Sequence, residues 1–192
     1  MCASKLLPGP TARLRLRPWT QSDRLQFREM NVDRRVMEYF PAPLSAAESD
    51  AFADRISEHQ EKHGFSLWAV ELRSTSTFIG FTGLAVPRWE LPFTPCVEIG
   101  WRLARHSWGQ GYATEAAKAA LAFGFDELVL EEVVSFTAEI NNRSRRVMER
   151  LGMQHCESED FCHPALPPAH PLAKHVLYRL TREAWKKTEV GK

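Results

Sequence analysis

No charge of one sign dominates this chain. Its formal net charge is +1 over 192 residues, so no broad field marks it for nucleic acid or an anionic bilayer. No stretch approaches the roughly 20 apolar residues of a membrane span, and the opening "MCASKLLPGPTARLRLRPW" lacks the apolar core of a signal peptide. Cysteine is scarce. Cys2, Cys96, Cys156 and Cys162 match no disulfide framework, which favours a reducing compartment. Zinc sites usually carry a C-x2-4-C or H-x3-5-H pair; His155, Cys156, Cys162 and His163 supply neither spacing. There is no G-x-x-x-x-G-K-[ST] Walker loop, and no third glycine completes a G-x-G-x-x-G dinucleotide fingerprint. The expectation is a soluble, cytoplasmic protein, monomer or homodimer, with no metal and no nucleic-acid or membrane partner.

What is present is an ordinary globular composition, 44% hydrophobic and 26% charged, enough for one α/β domain with a sizeable core. Residues 11–186 read as that domain, 1–10 as a flexible leader with Pro8, Gly9 and Pro10, and 187–192 as a tail. "ARLRLRPW" alternates as a half-buried strand. Ser22 and Asp23 are placed to cap a helix carrying Leu25, Phe27, Met30, Val36 and Met37, in one piece or two, stopped by Pro41 and Pro43. Ser45 and Glu48 form a capping box for a second helix that ends at Gly64. "FSLWAVEL" and "TFIGFTGLAV" flank the turn "RSTS" as a hairpin. "CVEIGWRL" is the next strand, "EVVSFTAEI" another, and a last pair is expected near Met153–Phe161 and His175–Thr181.

Three stretches carry chemistry. In "HSWGQGYATEAAKAALAFGFDE", two glycines feed a strand end into a helix whose stripe of Ala113, Ala116, Ala117, Ala120, Leu121 and Gly124 suits close packing on a sheet. A helix start offers unpaired N–H groups and partial positive charge; Gly109 and Gly111 remove side chains that would hold a phosphate away. A plain structural turn also explains the glycines. In "CVEIGWRL", Glu98, Gly100 and Arg102 share one face, Val97, Ile99, Trp101 and Leu103 the other. Glu98 places a carboxylate beside a glycine of the kind that marks a close approach, and its plainest reading is a surface ion pair, for which Arg102 is the partner at hand. In "AEINNRSRRVMERLGM", Asn141 is placed as an N-cap. Ser144 shares the inward face with Val147, Met148 and Leu151 and needs a partner, in the plainest case a backbone carbonyl one turn back. Arg143, Arg145 and Arg146 form a basic cluster, either a solvated face or a phosphate contact.

Taken in order, these motifs resemble the GNAT (GCN5-related N-acetyltransferase) superfamily, and most closely its branch of ribosomal-protein N-terminal acetyltransferases. The resemblance spans roughly residues 11–182 and is strongest from Val97 to Met153. It implies an α/β (α+β) GNAT fold: a mixed, mostly antiparallel sheet of about seven strands, splayed between the fourth and fifth and flanked by helices. It implies acetyl-coenzyme A as cosubstrate, its pyrophosphate cradled by Trp108, Gly109, Gln110, Gly111, Tyr112, Ala113 and Thr114. Its pantetheine arm would lie along Ile99, Gly100 and Trp101, with Asn141 and Ser144 as further contacts. Glu98 matches the position that often serves as general base, and Ser144 stands where many members carry a tyrosine acid. His106 departs from the Gln or Arg common before the loop. The implied reaction is acetyl transfer to a primary amine, on a small molecule or a protein N-terminus; a non-catalytic acyl-coenzyme A sensor of the same fold is the alternative. The acceptor walls are expected from the early helices and two loops carrying Trp89, Phe93, His163, His170 and His175.

Overall fold

The computed structural model describes residues 7–190; Cys2 and the ends of the expected leader and tail lie outside them. The chain forms β1 (Leu14–Arg17), α1 (Asp23–Val32), α2 (Ala46–His63), β2 (Leu67–Leu72), β3 (Thr77–Ala85), β4 (Glu98–Leu103) and α3 (Tyr112–Ala122), the last continued by a π turn over Phe123–Glu127. β5 (Glu132–Ala138), α4 (Asn142–Arg150), β6 (Gln154–His155), β7 (Phe161–Cys162), β8 (Lys174–Thr181) and α5 (Arg182–Val190) complete it. One eight-stranded sheet runs β1-β2-β3-β4-β5-β8-β6, with β7 also on β8. All pairs are antiparallel except β4 with β5.

Local sequence builds most of this. The Ser45–Glu48 capping box is formed, and Gly64, at φ 79°, closes α2 in the left-handed conformation. Ser22 does not cap α1. It is itself helical, and Asp23, clasped by Arg17, accepts the Thr20 amide at 2.7 Å instead. α1 stops at Val32 and does not reach Met37, because the Asp33 carboxylate takes the Arg35 amide at 2.8 Å in a turn that competes with helix. Leu25 is exposed.

The sheet has eight strands, seven along its path and β7 off it, because the segment expected as one strand from Met153 to Phe161 is cut by a 3-10 turn at Glu157–Glu159. There the Asp160 carboxylate, rather than a strand carbonyl, receives the Leu177 amide at 3.3 Å. α5 carries the chain past residue 186 to Val190.

Two cores sit on opposite faces of the sheet. On one, Ala116, Ala117, Ala120 and Leu121 of α3 pack against Ile79, Leu84, Ile99 and Leu103. The approach is close: a Cβ on Gly124 would come within 2.9 Å of Leu84 Cδ1. On the other, Phe27 and Met30 of α1 and Ala53 of α2 cover Ala69, Phe78 and Phe81. Burying each large apolar side chain contributes about 1.5–3 kcal/mol, so α3 on one face and the α1–α2 pair on the other are firmly seated on the sheet.

Candidate active site

The site starts where β4 and β5 part. They pair at the single rung Glu98↔Val134, with Val134 N–H donating to Val97 C=O at 2.9 Å. One step further, the Ser135 hydroxyl donates to the Ile99 carbonyl at 2.9 Å in place of a backbone partner. Alternation turns the main chain of Trp101 to the same open edge. Gly100 turns the other way, and its carbonyl accepts the Thr82 hydroxyl at 3.0 Å. Its contribution to the site is space, since an added Cβ would meet only Leu67 Cδ2, at 3.9 Å.

Glu98 stands at that last rung. Its side chain has no hydrogen-bond or ion-pair partner among the described residues, and burial pushes its carboxyl up to about 8. The ion pair with Arg102 does not form. Arg102, on the same face, is buried in the α1–α2 core, and its Nη1 donates to Asn31 Oδ1 at 2.7 Å. The Arg102 guanidinium carbon lies 4.0 Å from the Phe40 ring centroid, 5.4 Å from Phe81 and 5.5 Å from Phe52. Burial pushes it down to about 9, which leaves it charged at neutral pH.

The glycine loop is built from main chain. Gly109 and Gly111 have φ of 76° and 78°, the left-handed region in which glycine carries no Cβ penalty. The Trp108 amide is used within the preceding 3-10 turn, donating to Arg105 C=O at 3.1 Å, and the Trp108 ring is a packing piece, its Nε1 bonded to Leu103 C=O. From Gly109 through Thr114, by contrast, no amide donates to any group among the described residues; the first hydrogen bond of α3 is Glu115 N–H to Gly111 C=O. A run of unpaired amides at a helix start suits an anion. Arg13 braces it from outside. Its Nη1 donates to Gln110 C=O at 3.0 Å, it pairs with Glu115 at 2.5 Å, and it lies over the Tyr112 ring. Nothing in the spacing of the motif marks Arg13 for this; only the closure of β1 toward α3 does.

At α4, Asn141 is the N-cap. Its Oδ1 accepts Ser144 N–H at 3.2 Å and its Nδ2 donates to Thr137 Oγ1 at 2.9 Å. Ser144 is half-buried. Its hydroxyl donates to no carbonyl one turn back, nor to any other group among the described residues. Arg143 is committed to Glu38 at 2.6 Å and stacks 4.6 Å from the Trp108 ring, tying the segment after α1 to α4. Arg145 bonds Tyr178 and Glu139 C=O, so of the basic cluster only Arg146 has no partner among the described residues.

The loop histidines form a separate aromatic cluster. His163 and His175 lie 5.0 Å apart, with Trp89, Phe136 and Phe161 around them, and Phe93 packs on Phe136 and Phe161. Burial lowers His163 and pushes His175 down to about 4. Both are weaker proton acceptors than Glu98. His170 accepts the Leu172 amide through Nδ1 at 3.1 Å. Among the described residues no three His, Cys, Asp or Glu side chains gather as a metal set, and no helix is long and apolar enough to cross a membrane.

Comparison with known proteins agrees with this geometry. Residues 13–154 match the model of the acetyltransferase (GNAT) domain. The FsC-acetyl coenzyme A-N(2)-transacetylase of Aspergillus fumigatus is 33% identical over 182 residues, covering 91% of this chain and 76% of its own. An acetyltransferase structure from Agrobacterium tumefaciens, 26% identical, aligns with a TM-score of 0.72 over 91% of this chain and 94% of that one. Spermidine N-acetyltransferase of Vibrio cholerae, solved with CoA and spermine, shares the fold at a TM-score of 0.71 and 18% identity, over 90% of this chain and 98% of that one. A splayed sheet, an amide-lined helix start and these relatives converge: the chain belongs to the GNAT family and is an acyltransferase that carries acetyl groups from acetyl-coenzyme A to nitrogen.

Proposed function

We propose that this protein acetylates a primary amine by direct attack, with Glu98 as general base and Ser144 as the acid toward the departing thiolate. The observation that carries the reading is Glu98 itself, unpaired, raised to about 8 and standing where β4 and β5 separate. An alkylammonium of pKa about 10, or about 8 for an α-amine, is not nucleophilic until it loses a proton. Glu98 accepts that proton, directly or through a water, and a base works best when its pKa lies near the working pH.

Acetyl-coenzyme A supplies an electrophilic thioester carbonyl. The unpaired amides from Gly109 to Thr114 fit its pyrophosphate, and the open edge at Ile99 and Trp101 fits its pantetheine arm. As the amine forms the new C–N bond, the Trp101 N–H faces the developing oxyanion. The C–S bond then breaks and its electron pair leaves on sulfur. A thiol of pKa near 8.5 needs only modest help to leave; the unpartnered Ser144 hydroxyl gives its proton to sulfur and is restored by the second proton that nitrogen sheds as the neutral amide forms. The Asn141 cap fixes the turn that carries Ser144. A non-catalytic acyl-coenzyme A sensor would have no use for an unpaired carboxyl held at the strand opening.

The test is release of free thiol from acetyl-coenzyme A across a panel of primary amines, with calorimetric binding in parallel. Thiol release that depends on the amine is the expected result. Binding without release for any amine would leave the sensor.

A further inference from the structure

We infer that the acceptor carries a carboxylate and that Arg102 recognises it, so that the substrate class is a small amino acid rather than a simple amine. This rests on the acetyl-transfer reading above.

The protein's own arginines set the comparison. Arg28 presents Nε and Nη2 to the two oxygens of Asp50, and Arg179 presents the same pair of atoms to Glu159, at 2.8 and 2.6 Å. That planar edge matches a carboxylate with two parallel hydrogen bonds. In Arg102 the same edge is empty. Only Nη1 is used, on the neutral Asn31 amide oxygen; Nε is fully buried with no partner, and Nη2 has none among the described residues. Arg102 is 8% exposed, and no carboxylate among the described residues pairs with it. Buried cations are ordinarily matched by an anion. The aromatic rings of Phe40, Phe52 and Phe81 hold the guanidinium plane but offer its edge no hydrogen-bond acceptor.

Position adds a second, independent observation. Arg102 and Glu98 share a face of β4 with only Gly100 between them, where an added Cβ would touch only Leu67 Cδ2, at 3.9 Å. Their Cα atoms are roughly 13 Å apart at about 3.3 Å per residue, and both side chains are long. An acceptor amine at Glu98 and a carboxylate at Arg102 therefore belong to one small molecule. Phe40, 38% exposed and seated on the guanidinium, forms the outer wall of that end. Asn31, held by Ser49 Oγ at 3.1 Å through its own Nδ2, fixes the orientation of the fork.

The test uses matched acceptors: free L-amino acids and β-alanine against their carboxamides, assayed by thiol release with the intact protein. Wild type is expected to prefer acids over amides by at least about tenfold in kcat/KM, the loss typical of one charge-assisted hydrogen bond. Arg102→Gln and Arg102→Lys should erase that preference by raising KM for the acids, with calorimetric acetyl-coenzyme A affinity unchanged. The wild-type acid-to-amide ratio needs no variant, so instability of Arg102→Gln cannot mask the answer. Equal use of acids and amides by wild type overturns the inference and leaves acetyl transfer standing. Loss of both acceptors in equal measure in a folded Arg102→Lys overturns it too, because Arg102 would then only hold the core. No turnover with any amine overturns the acetyl-transfer reading, and this inference with it.

Discussion

The two halves of the site are made of different material. The proposed cofactor half is main chain: left-handed glycines, a helix start and a run of amides from Gly109 to Thr114 that have no partner among the described residues. The proposed acceptor half is side chain: Glu98, Arg102 and the rings of Phe40, Phe52 and Phe81. A main-chain site depends on φ and on close approach, so it tolerates almost any change except the loss of a glycine or the helix start. A side-chain site is set by individual residues and can be retuned without touching the backbone. One fold can thus keep a single acyl donor while changing acceptors.

The sharpest way to break this comparison is Glu98→Gln. It preserves size and hydrogen bonding and removes proton acceptance. Turnover should fall about 10²–10⁴-fold near neutral pH. The wild-type rate should climb as Glu98 ionises near pH 8, and the variant should lack that rise. The deficit should widen as pH rises through about 8 and narrow only well above it, where more amine is already neutral. Rate against pH at saturating acetyl-coenzyme A checks this; superimposable profiles would remove Glu98 from the chemistry.

Gly109→Asn probes the main-chain half. Asparagine tolerates a left-handed φ, and nothing lies within 4 Å of a Cβ there, so the fold should survive while a side chain enters the anion's space. Losing one or two charge-assisted hydrogen bonds weakens acetyl-coenzyme A binding about 10- to 100-fold, read by calorimetry. Normal affinity would make the loop a turn and nothing more.

Stability gives a third test, on the side-chain half alone. The carboxyl of Glu98 is raised in the folded state from 4.5 to about 8. Its favourable contribution is therefore complete below about pH 4.5 and lost as pH rises through about 8. Gln mimics the protonated form at every pH. Glu98→Gln should become more stable than wild type above pH 8, by about 1–3 kcal/mol, in denaturant melts at pH 5 and pH 9. An identical difference at both pH values would mean that the carboxyl is not held protonated.

Ser144→Ala and Asn141→Ala are the smallest. Removing the hydroxyl should slow turnover about tenfold, below the range of a full acid–base group, with acetyl-coenzyme A affinity intact; unchanged kcat would reduce Ser144 to a spectator. Losing the Asn141 cap should cost about 1 kcal/mol of stability, visible as a lower melting midpoint.

Local rules wrote much of the cofactor half. The glycine pair, the small-residue stripe of α3 and the Asn141 cap all follow from neighbours within a few positions, where backbone conformation and helical period decide the outcome. The alternation of β4 likewise fixed which face Glu98 and Arg102 share. It did not fix their relationship. Nearness along a strand suggested an ion pair between them, but Asn31 and the aromatic rings come from chain tens of residues away and claim Arg102 instead. Arg13 on the glycine loop and Ser135 on Ile99 were hidden for the same reason.

By itself, then, the sequence determined the order of the strands and helices, the loop that offers its amides and the residue types lining β4. Those depend on periodicity, capping and φ, which act over a few residues. The splay of β4 from β5, the unpaired state and raised pKa of Glu98, and the empty edge of Arg102 were decided by the tertiary structure. Each is a matter of which distant groups exclude water or fail to supply a partner, and burial and pairing exist only once the chain has closed on itself.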